Sequence, residues 1–461
     1  MTTPSWIAPA LDYVPRWIGY QMAAVEQPGC VIAVAHKGEV IFEHAFGLAN
    51  IVTGEAMTPR HRFRVASHSK SFTATGMMKL REAGRLSLDD RAGRYVAGLH
   101  ESVAQATIGQ LLSHSAGITR DGPDGGQFVE RRPFLSLAEL KADLARPQPL
   151  GAAETFKYSN HGIALAGHII EAVTGESYVA WMTREVLAPL GLTETVPDMT
   201  ALPSPRPPFA MGHSTKLPYG KRLVVPGFNA GNAMAAATGF ASTARDLVRF
   251  FAAMSPAAER SILSTASRRD MTRRHWRDKH SGIERYYGLG TIIGPVGPWS
   301  WWGHSGGWPG TLSRTAHIPD HELTISILTN AVDGPAQAWM EGMIHILKTF
   351  EAKGASTEAT RAWTGRFWNL WGASDLVPVG QGKVLVAIPA QAQPFFDATV
   401  IEVDGADTGK VVEAQAFGDL GEPVRCVRDS NGSFASVWIG GKHQLREAAF
   451  VAEVTERYGI A

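Results

Sequence analysis

The sequence predicts a mixed α/β (α+β) chain. An antiparallel sheet is flanked by helices, a helical subdomain fills its middle, and a small C-terminal antiparallel β-barrel-like domain follows. Three observations lead there. Strand-like apolar segments stand near the N-terminus and again at 287–329, with a helical stretch, about 86 to 249, between them. Lys353-Gly354-Ala355-Ser356-Thr357-Glu358 has the composition of a linker. Beyond it, short β-rich runs alternate with turn signals such as Asp404-Gly405, Asp407-Thr408-Gly409 and Asn431-Gly432. The division implied is a first domain over 1–352 and a C-terminal β domain over 361–461. A chain of 461 residues has ample length for a large core.

Taken in order, Asp12 to Gln27 reads as an amphipathic first helix. Phe63-Arg64-Val65-Ala66 is a short extended entry to a helix over Ser69 to Ala83. Phe72, Met77, Met78 and Leu80 form the apolar stripe of that helix, and Gly84 stands where a left-handed cap is favoured. Another strong helix starts near His161. Pro197 to Pro226 is a long Pro-rich connection that either walls a cleft or makes a surface excursion. A meander follows over Tyr287–Gly294, Trp299–Gly306, Thr311–Ile318 and Leu323–Thr329, and a helix near Pro335 to Phe350 closes the domain. The C-terminal strands are Gly365–Trp368, Lys383–Ile388, Ala398–Val403, Lys410–Ala416, Pro423–Arg428, Ser433–Ile439 and His443–Leu445.

Three short motifs carry chemistry: Ser67-His68-Ser69-Lys70, Tyr158-Ser159-Asn160 and His304-Ser305-Gly306. A serine hydroxyl is a weak nucleophile and needs a base within hydrogen-bond reach. Serine and lysine three positions apart share a helix face, so Lys70 can reach Ser67. At a helix N-terminus, backbone N–H groups favour developing negative charge. Ser67 is the only serine followed at this spacing by lysine, and Tyr158 the only tyrosine with asparagine two residues on. A tyrosine serves as a base only when its pKa falls, which nearby cations such as Lys70 promote. Tyr158 and Asn160 read as loop residues just ahead of a helix. In the third motif, His304 binds a substrate carboxylate, carries a proton or shapes the cleft. Trp302 shares its strand face. Trp301 reads as core packing and Trp308 as the lining of an apolar pocket.

The order and spacing of these motifs resemble the penicillin-recognising serine hydrolases, with S-x-x-K, Y-x-N and the H-[ST]-G form of K-T-G. That family holds class C β-lactamases, D-alanyl-D-alanine carboxypeptidases, D-aminopeptidases, D-amino-acid amidases and β-lactamase-fold esterases. The likeness extends from about residue 12 to about 350. Pro28 to Ala35 resembles the family's first strand, His36-Lys37-Gly38-Glu39 its hairpin turn, and Val40 to Ala45 its second strand. Leu111 to Ile118 resembles a helix ending in a glycine turn, and Ser242 to Leu247 the start of a late helix, with Thr243 and Asp246 at capping-box spacing. The resemblance implies a β-lactamase/transpeptidase-like sheet whose third-motif strand flanks the nucleophile. Ser305, Gly306 and Gly307 would line the site, and the Ser67 and Gly307 N–H groups would form the oxyanion hole. It also implies that Asn160 holds Lys70 or a substrate amide, and that Tyr158, with Lys70, takes the proton of Ser67. Relatives with a C-terminal β-barrel can lend a loop to the active site, which points at Trp368 to Pro378; the alternative is a stabilising or oligomerising appendage.

Departures narrow the reading. No Ser-Asp-Asn exists in the chain. Histidine at 304 replaces a permanent cation with a group mostly neutral at pH 7. The expectation is a peptidase or amidase of small peptides or amino-acid amides, perhaps of D configuration. A carboxylesterase comes next, then a β-lactamase or D-Ala-D-Ala carboxypeptidase. A catalytically idle binding or scaffold relative is the rival from another class. With a formal net charge of +1, nothing calls for nucleic acid. No run of about 18 apolar residues marks a membrane span. The N-terminus lacks signal-peptide features, which points to the cytoplasm. Cys30 and Cys426 read as free thiols. No metal and no cofactor are expected, and the partner is a small-molecule or short-peptide substrate, with a homo-oligomer compatible.

Overall fold

The computed structural model describes residues 3–202, 207–218, 220–415 and 418–459. By contact the chain divides into two compact units, Gln27–Met340, and Met1–Glu26 together with Glu341–Ala461. The sequence division kept the first helix and the helix after the sheet with the sheet; the contact division places Met1–Glu26 and the residues from Glu341 onward with the C-terminal unit.

The first unit is built on a nine-stranded sheet. Its order is Glu55–Ala56, Glu39–Asn50, Gly29–His36, Leu323–Thr329, Thr311–Ile318, Trp299–Trp308, Ile292–Val296, Tyr286–Tyr287 and Trp276–Arg277. Neighbours pair antiparallel. Gly29–His36 and Leu323–Thr329 are buried along their whole length, the second with Thr324 and Ser326 buried among its apolar residues. Lys37 and Gly38 both take positive φ (54° and 85°), as a tight hairpin turn between right-twisted strands requires.

The expected strand Tyr287–Gly294 is two short strands separated by a glycine turn. Gly290, at φ 65°, packs so closely on the helix that begins at Ser69 that an added Cβ would lie 2.6 Å from the Lys70 carbonyl. The turn is therefore held against the helix that carries the S-x-x-K motif.

That helix, Ser69–Glu82, is buried from Ser69 to Met78. Phe72 stacks on Phe240 and Phe250 at 4.5 and 3.8 Å between ring centroids. The helix Asn160–Thr174 is capped by Ser159, whose hydroxyl accepts the Gly162 N–H at 2.8 Å. The helix Ala244–Ala253 is capped by Thr243, which accepts the Asp246 N–H at 3.2 Å. The Asp246 carboxylate does not complete a capping box; it turns to the Glu194 N–H and the Thr195 hydroxyl. Of the Pro-rich connection, residues 203–206 and 219 lie outside the described residues. Within the rest, Gly212–His213 pairs with Val224–Val225.

The second unit is a closed eight-stranded barrel. Its strands are Gly365–Asn369, Gly372–Pro378, Lys383–Ala387, Thr399–Val403, Thr408–Glu413, Pro423–Arg428, Phe434–Ile439 and Lys442–Leu445. Ala416, the end of one expected strand, lies outside the described residues. The segment read as a loop, Trp368 to Pro378, is a hairpin in which Trp368 pairs with Ala373 and Asn369 with Gly372. Its second strand escaped the sequence reading because Asp375 interrupts the apolar pattern. Asp375 is fully buried and takes two hydrogen bonds from Arg366, at 2.8 and 2.9 Å, and one from the Tyr13 hydroxyl at 3.0 Å. Tyr13 lies on the first helix, Ile7–Val25, which runs longer than expected. A last helix, Glu447–Tyr458, has no buried residue, so no apolar stripe announced it. Among the described residues no helix is long and apolar enough to cross a membrane.

Candidate active site

The turn that carries Ser67 is fixed from three sides. Phe63–Arg64 pairs with Ala241–Ser242, and the Val65 N–H donates to the Phe240 carbonyl at 3.1 Å. Ala66 has φ 42°, a backbone conformation that costs a non-glycine residue energy and persists only where surroundings impose it. It opens a 3₁₀ turn, Ala66–His68, that leads into the helix from Ser69. From His61 to Lys70 every residue is buried except Ser67, which keeps solvent access. His68 anchors the turn: Nδ1 donates to the Val65 carbonyl at 3.1 Å and Nε2 accepts from the Thr315 hydroxyl at 2.9 Å. Burial drives its imidazole down to about 3, so it stays neutral.

Lys70 is fully buried, with Nζ 3.0 Å from Ser67 Oγ and 2.8 Å from the Ala237 carbonyl. The Tyr158 hydroxyl is hydrogen-bonded to the same serine, and Nζ of Lys70 lies 4.9 Å from the Tyr158 ring centroid. The sequence therefore named three side chains that the fold brings together. Their proton affinities run against the expectation that a cationic Lys70 lowers Tyr158. Desolvation pulls the Lys70 ammonium well below an ordinary lysine and pushes the Tyr158 phenol up. Both shifts have one cause: a dry site favours the uncharged amine and the uncharged phenol over their ions.

Asn160 departs from its expected place. It is the first residue of its helix, not a loop residue. Its Nδ2 donates to Asp121 Oδ1 at 2.6 Å, whereas the backbone carbonyl that binds Lys70 is that of Ala237.

The third motif lies on the strand Trp299–Trp308. Up to Gly303 this strand is paired on both sides; from His304 onward it pairs only with Thr311–Ile318. The unpaired edge leaves backbone groups free for a ligand, and Gly307 there is exposed. Gly306 packs on the turn that carries Ser67, where an added Cβ would lie 2.1 Å from the Val65 carbonyl. His304 is buried with both nitrogens engaged: Nδ1 donates to the Ser305 carbonyl at 2.7 Å and Nε2 accepts from the Tyr287 hydroxyl at 2.9 Å. Burial holds its pKa well below the usual histidine value. A carboxylate-binding or proton-carrying His304 does not fit this geometry; a wall of the cleft does. Trp308, expected to line an apolar pocket, is packed instead. It is buried between the Arg64 guanidinium, 3.7 Å from its ring centroid, and Phe134, stacked at 5.0 Å. Trp301 is buried under Arg314 at 4.2 Å, as expected of core packing.

Several site residues lay outside the sequence reading. The His114 ring lies 4.2 Å from Tyr158 and 4.6 Å from Tyr287, and its Nδ1 accepts the Ser159 N–H at 3.2 Å. Its own carbonyl accepts the Lys157 N–H at 2.7 Å. His114 thus clamps the backbone on both sides of Tyr158. The segment Leu111 to Ile118 was noticed, but nothing in it says that the histidine faces inward. Tyr287 and Asp121 carried no local signal, because each gains meaning only through a partner distant in sequence.

The chain matches the family model described as Beta-lactamase over residues 14–341. Among curated relatives, Protein flp of Staphylococcus aureus (strain COL) is 29% identical over 177 residues, 36% of this chain. The match spans about a third of that relative, 34% of its length. The octameric penicillin-binding protein homologue from Pyrococcus abyssi superposes with a TM-score of 0.64 at 23% identity, covering 94% of this chain and 99% of that one. The D-amino acid amidase from Ochrobactrum anthropi SV3 superposes with a TM-score of 0.61 at 24% identity, covering 74% of this chain and 99% of that one. At these identities the two likenesses are of fold.

Proposed function

The chain belongs to the beta-lactamase family of serine hydrolases, and from that premise we propose that it is an amidase or peptidase of small peptides or amino-acid amides working through an acyl-enzyme on Ser67. One observation carries the reading: Lys70 Nζ stands 3.0 Å from Ser67 Oγ, and Tyr158 is bonded to the same oxygen. Lys70, whose proton affinity burial lowers, takes the Ser67 proton as Oγ attacks the carbonyl. The Ser67 and Gly307 N–H groups receive the oxyanion. Tyr158, held protonated, gives its proton to the departing amine and is recharged from the Lys70 ammonium. Water then enters and the same steps in reverse order of proton flow free Ser67. Asn160 steadies the wall of the site through Asp121.

The amide preference draws support from two sides. A neutral, fully engaged His304 offers no cation to the carboxylate that a penicillin carries. The Ochrobactrum amidase shares the fold of the catalytic unit. The octameric Pyrococcus homologue supports a homo-oligomer, which light scattering of the purified chain checks.

The deciding experiment is intact-mass spectrometry after exposure to a fluorophosphonate and, separately, to a penicillin, with Ser67→Ala as control. An adduct mapped to Ser67 and absent from the variant is expected. A long-lived penicilloyl adduct points to a carboxypeptidase-like site, and labelling by the fluorophosphonate alone to an amidase or esterase. Folded protein that takes neither label overturns the acyl-enzyme and leaves a binding or scaffold role.

A further inference from the structure

A carboxylate stands at the inner end of the site and the mechanism above makes no chemical use of it. Asp121 Oδ1 accepts from Asn160 Nδ2 at 2.6 Å, and Oδ2 lies 3.1 Å from Arg120 Nε. The Arg120 carbonyl in turn accepts the Asn160 and His161 N–H groups at 2.9 and 3.2 Å. The pair is thereby pinned to the head of the helix that follows Tyr158, and the Arg120 guanidinium lies 5.8 Å from the Tyr158 ring centroid. Asp121 is near enough to be felt electrostatically by both Lys70 and Tyr158.

The two charges are held unequally. The Asp121 side chain is 22% exposed and fixed from within by Asn160; the Arg120 side chain is 66% exposed. An exposed ion pair of this kind is weak, and a long arginine gives way at small cost. Of the other candidates, Lys70 is fully buried and already bonded to Ser67 Oγ and the Ala237 carbonyl, and His304 is buried with both nitrogens engaged. What remains is a fixed carboxylate bonded to Asn160, at the head of the helix that follows Tyr158, with a displaceable counter-ion.

Building on the amidase reading, we propose that Asp121 is a specificity-determining residue that receives the protonated free amine of the substrate's acyl residue, taking the place of Arg120. The substrate class is then amino-acid amides and short peptides with an unblocked N-terminus. An α-ammonium lies two bonds from the carbonyl carbon that Ser67 attacks, and the carboxylate fixed beside the Tyr158–Asn160 motif is the group offered to it. A charge-assisted hydrogen bond of this kind discriminates strongly against a substrate that cannot make it.

The test compares D- and L-leucinamide with their N-acetyl counterparts, using the full chain, Asp121→Asn, Asp121→Glu and Arg120→Met. A p-nitrophenyl ester and the Ser67 label serve as references for the common chemistry. The readout is the ratio of kcat/KM for free over acetylated amine, because any change at 121 also touches Asn160 and disturbs absolute rates. The expected wild-type ratio is roughly tenfold or more in favour of the free amine. It collapses toward one in Asp121→Asn, survives in part in Asp121→Glu, and rises through a lower KM in Arg120→Met. Equal rates in the wild type, an unchanged ratio in Asp121→Asn, or a preference for free carboxylates that is lost in Arg120→Met overturns the proposal. So does failure on both amides while the ester still turns over at Ser67, an outcome that spares the serine-hydrolase reading. If neither ester nor label reaches Ser67, that reading falls as well.

Discussion

The barrel and the sheet unit bury very different things. Inside the barrel, Trp363, Phe367, Leu376, Val384, Ile401, Val411, Val424, Phe434, Val437 and Ile439 form one apolar cluster. The sheet unit buries His68, Lys70, His114, Asn160, His304 and His317 beside its apolar core. A buried polar group costs stability unless it is paired, and a buried amine loses its charge. The barrel is therefore a unit optimised for closure, whereas the sheet unit gives up stability to hold reactive groups dry.

The contrast is sharpest at Lys70. Lys70→Met removes the base and leaves a side chain of similar length in an apolar helix face. Turnover is expected to fall by about 10³–10⁴-fold, with thermal stability held or raised, by steady-state kinetics beside calorimetry. In the wild type, kcat/KM falls as pH drops through the Lys70 value, which lies well below that of an ordinary lysine. An unchanged rate in Lys70→Met removes the lysine from the mechanism.

Acid comes next. His68 and His317 are held down to about 3 in the fold by burial, against about 6.5 in an unfolded chain. The unfolded state then binds more protons, so stability present above pH 6.5 is lost as pH falls toward 3. Each such group contributes a slope of up to ~1.4 kcal/mol per pH unit. Hydrogen exchange at pH 7 and pH 5 should show the sheet unit losing protection before the barrel. Loss in the barrel first breaks the comparison.

Leu376→Ala opens a cavity in the barrel and is expected to cost about 2–5 kcal/mol, read as lost exchange protection confined to the barrel strands. Gly306→Ala is smaller in energy, at about 1–3 kcal/mol for a crowded contact, yet it strikes the site. The new methyl meets the Val65 carbonyl, and the strand must back away from the nucleophile turn. A clear drop in kcat with a modest fall in Tm is expected. Unaltered kinetics show that the strand is not held by this contact.

How much of this was legible followed the same division. In the barrel, alternation and Gly-bearing turns marked most strands, and the one missed, Gly372–Pro378, was hidden by Asp375, whose partner Tyr13 lies at the other end of the chain. In the sheet unit, Ser67 and Lys70 were readable because a single helical turn sets their spacing. Tyr158 was readable as part of a short motif. The protonation states were not, since they come from desolvation by residues scattered along the chain. Trp308 was misjudged, and the roles of His304 were left open, for a related reason. Strand periodicity gives a side chain's face, but Tyr287 and Arg64, which occupy those two residues, come from other strands.

The pairing of Gly29–His36 has a consequence for biogenesis. One of its neighbours, Glu39–Asn50, leaves the ribosome next, but the other, Leu323–Thr329, is made almost three hundred residues later; Cys30 pairs with Thr329. Until then a wholly buried strand waits with one edge open, and His68 waits for Thr315. Such late closure slows folding and exposes a template for aggregation. A nascent chain released before the last strand of the sheet would carry the complete Ser67–Lys70 motif and no working site.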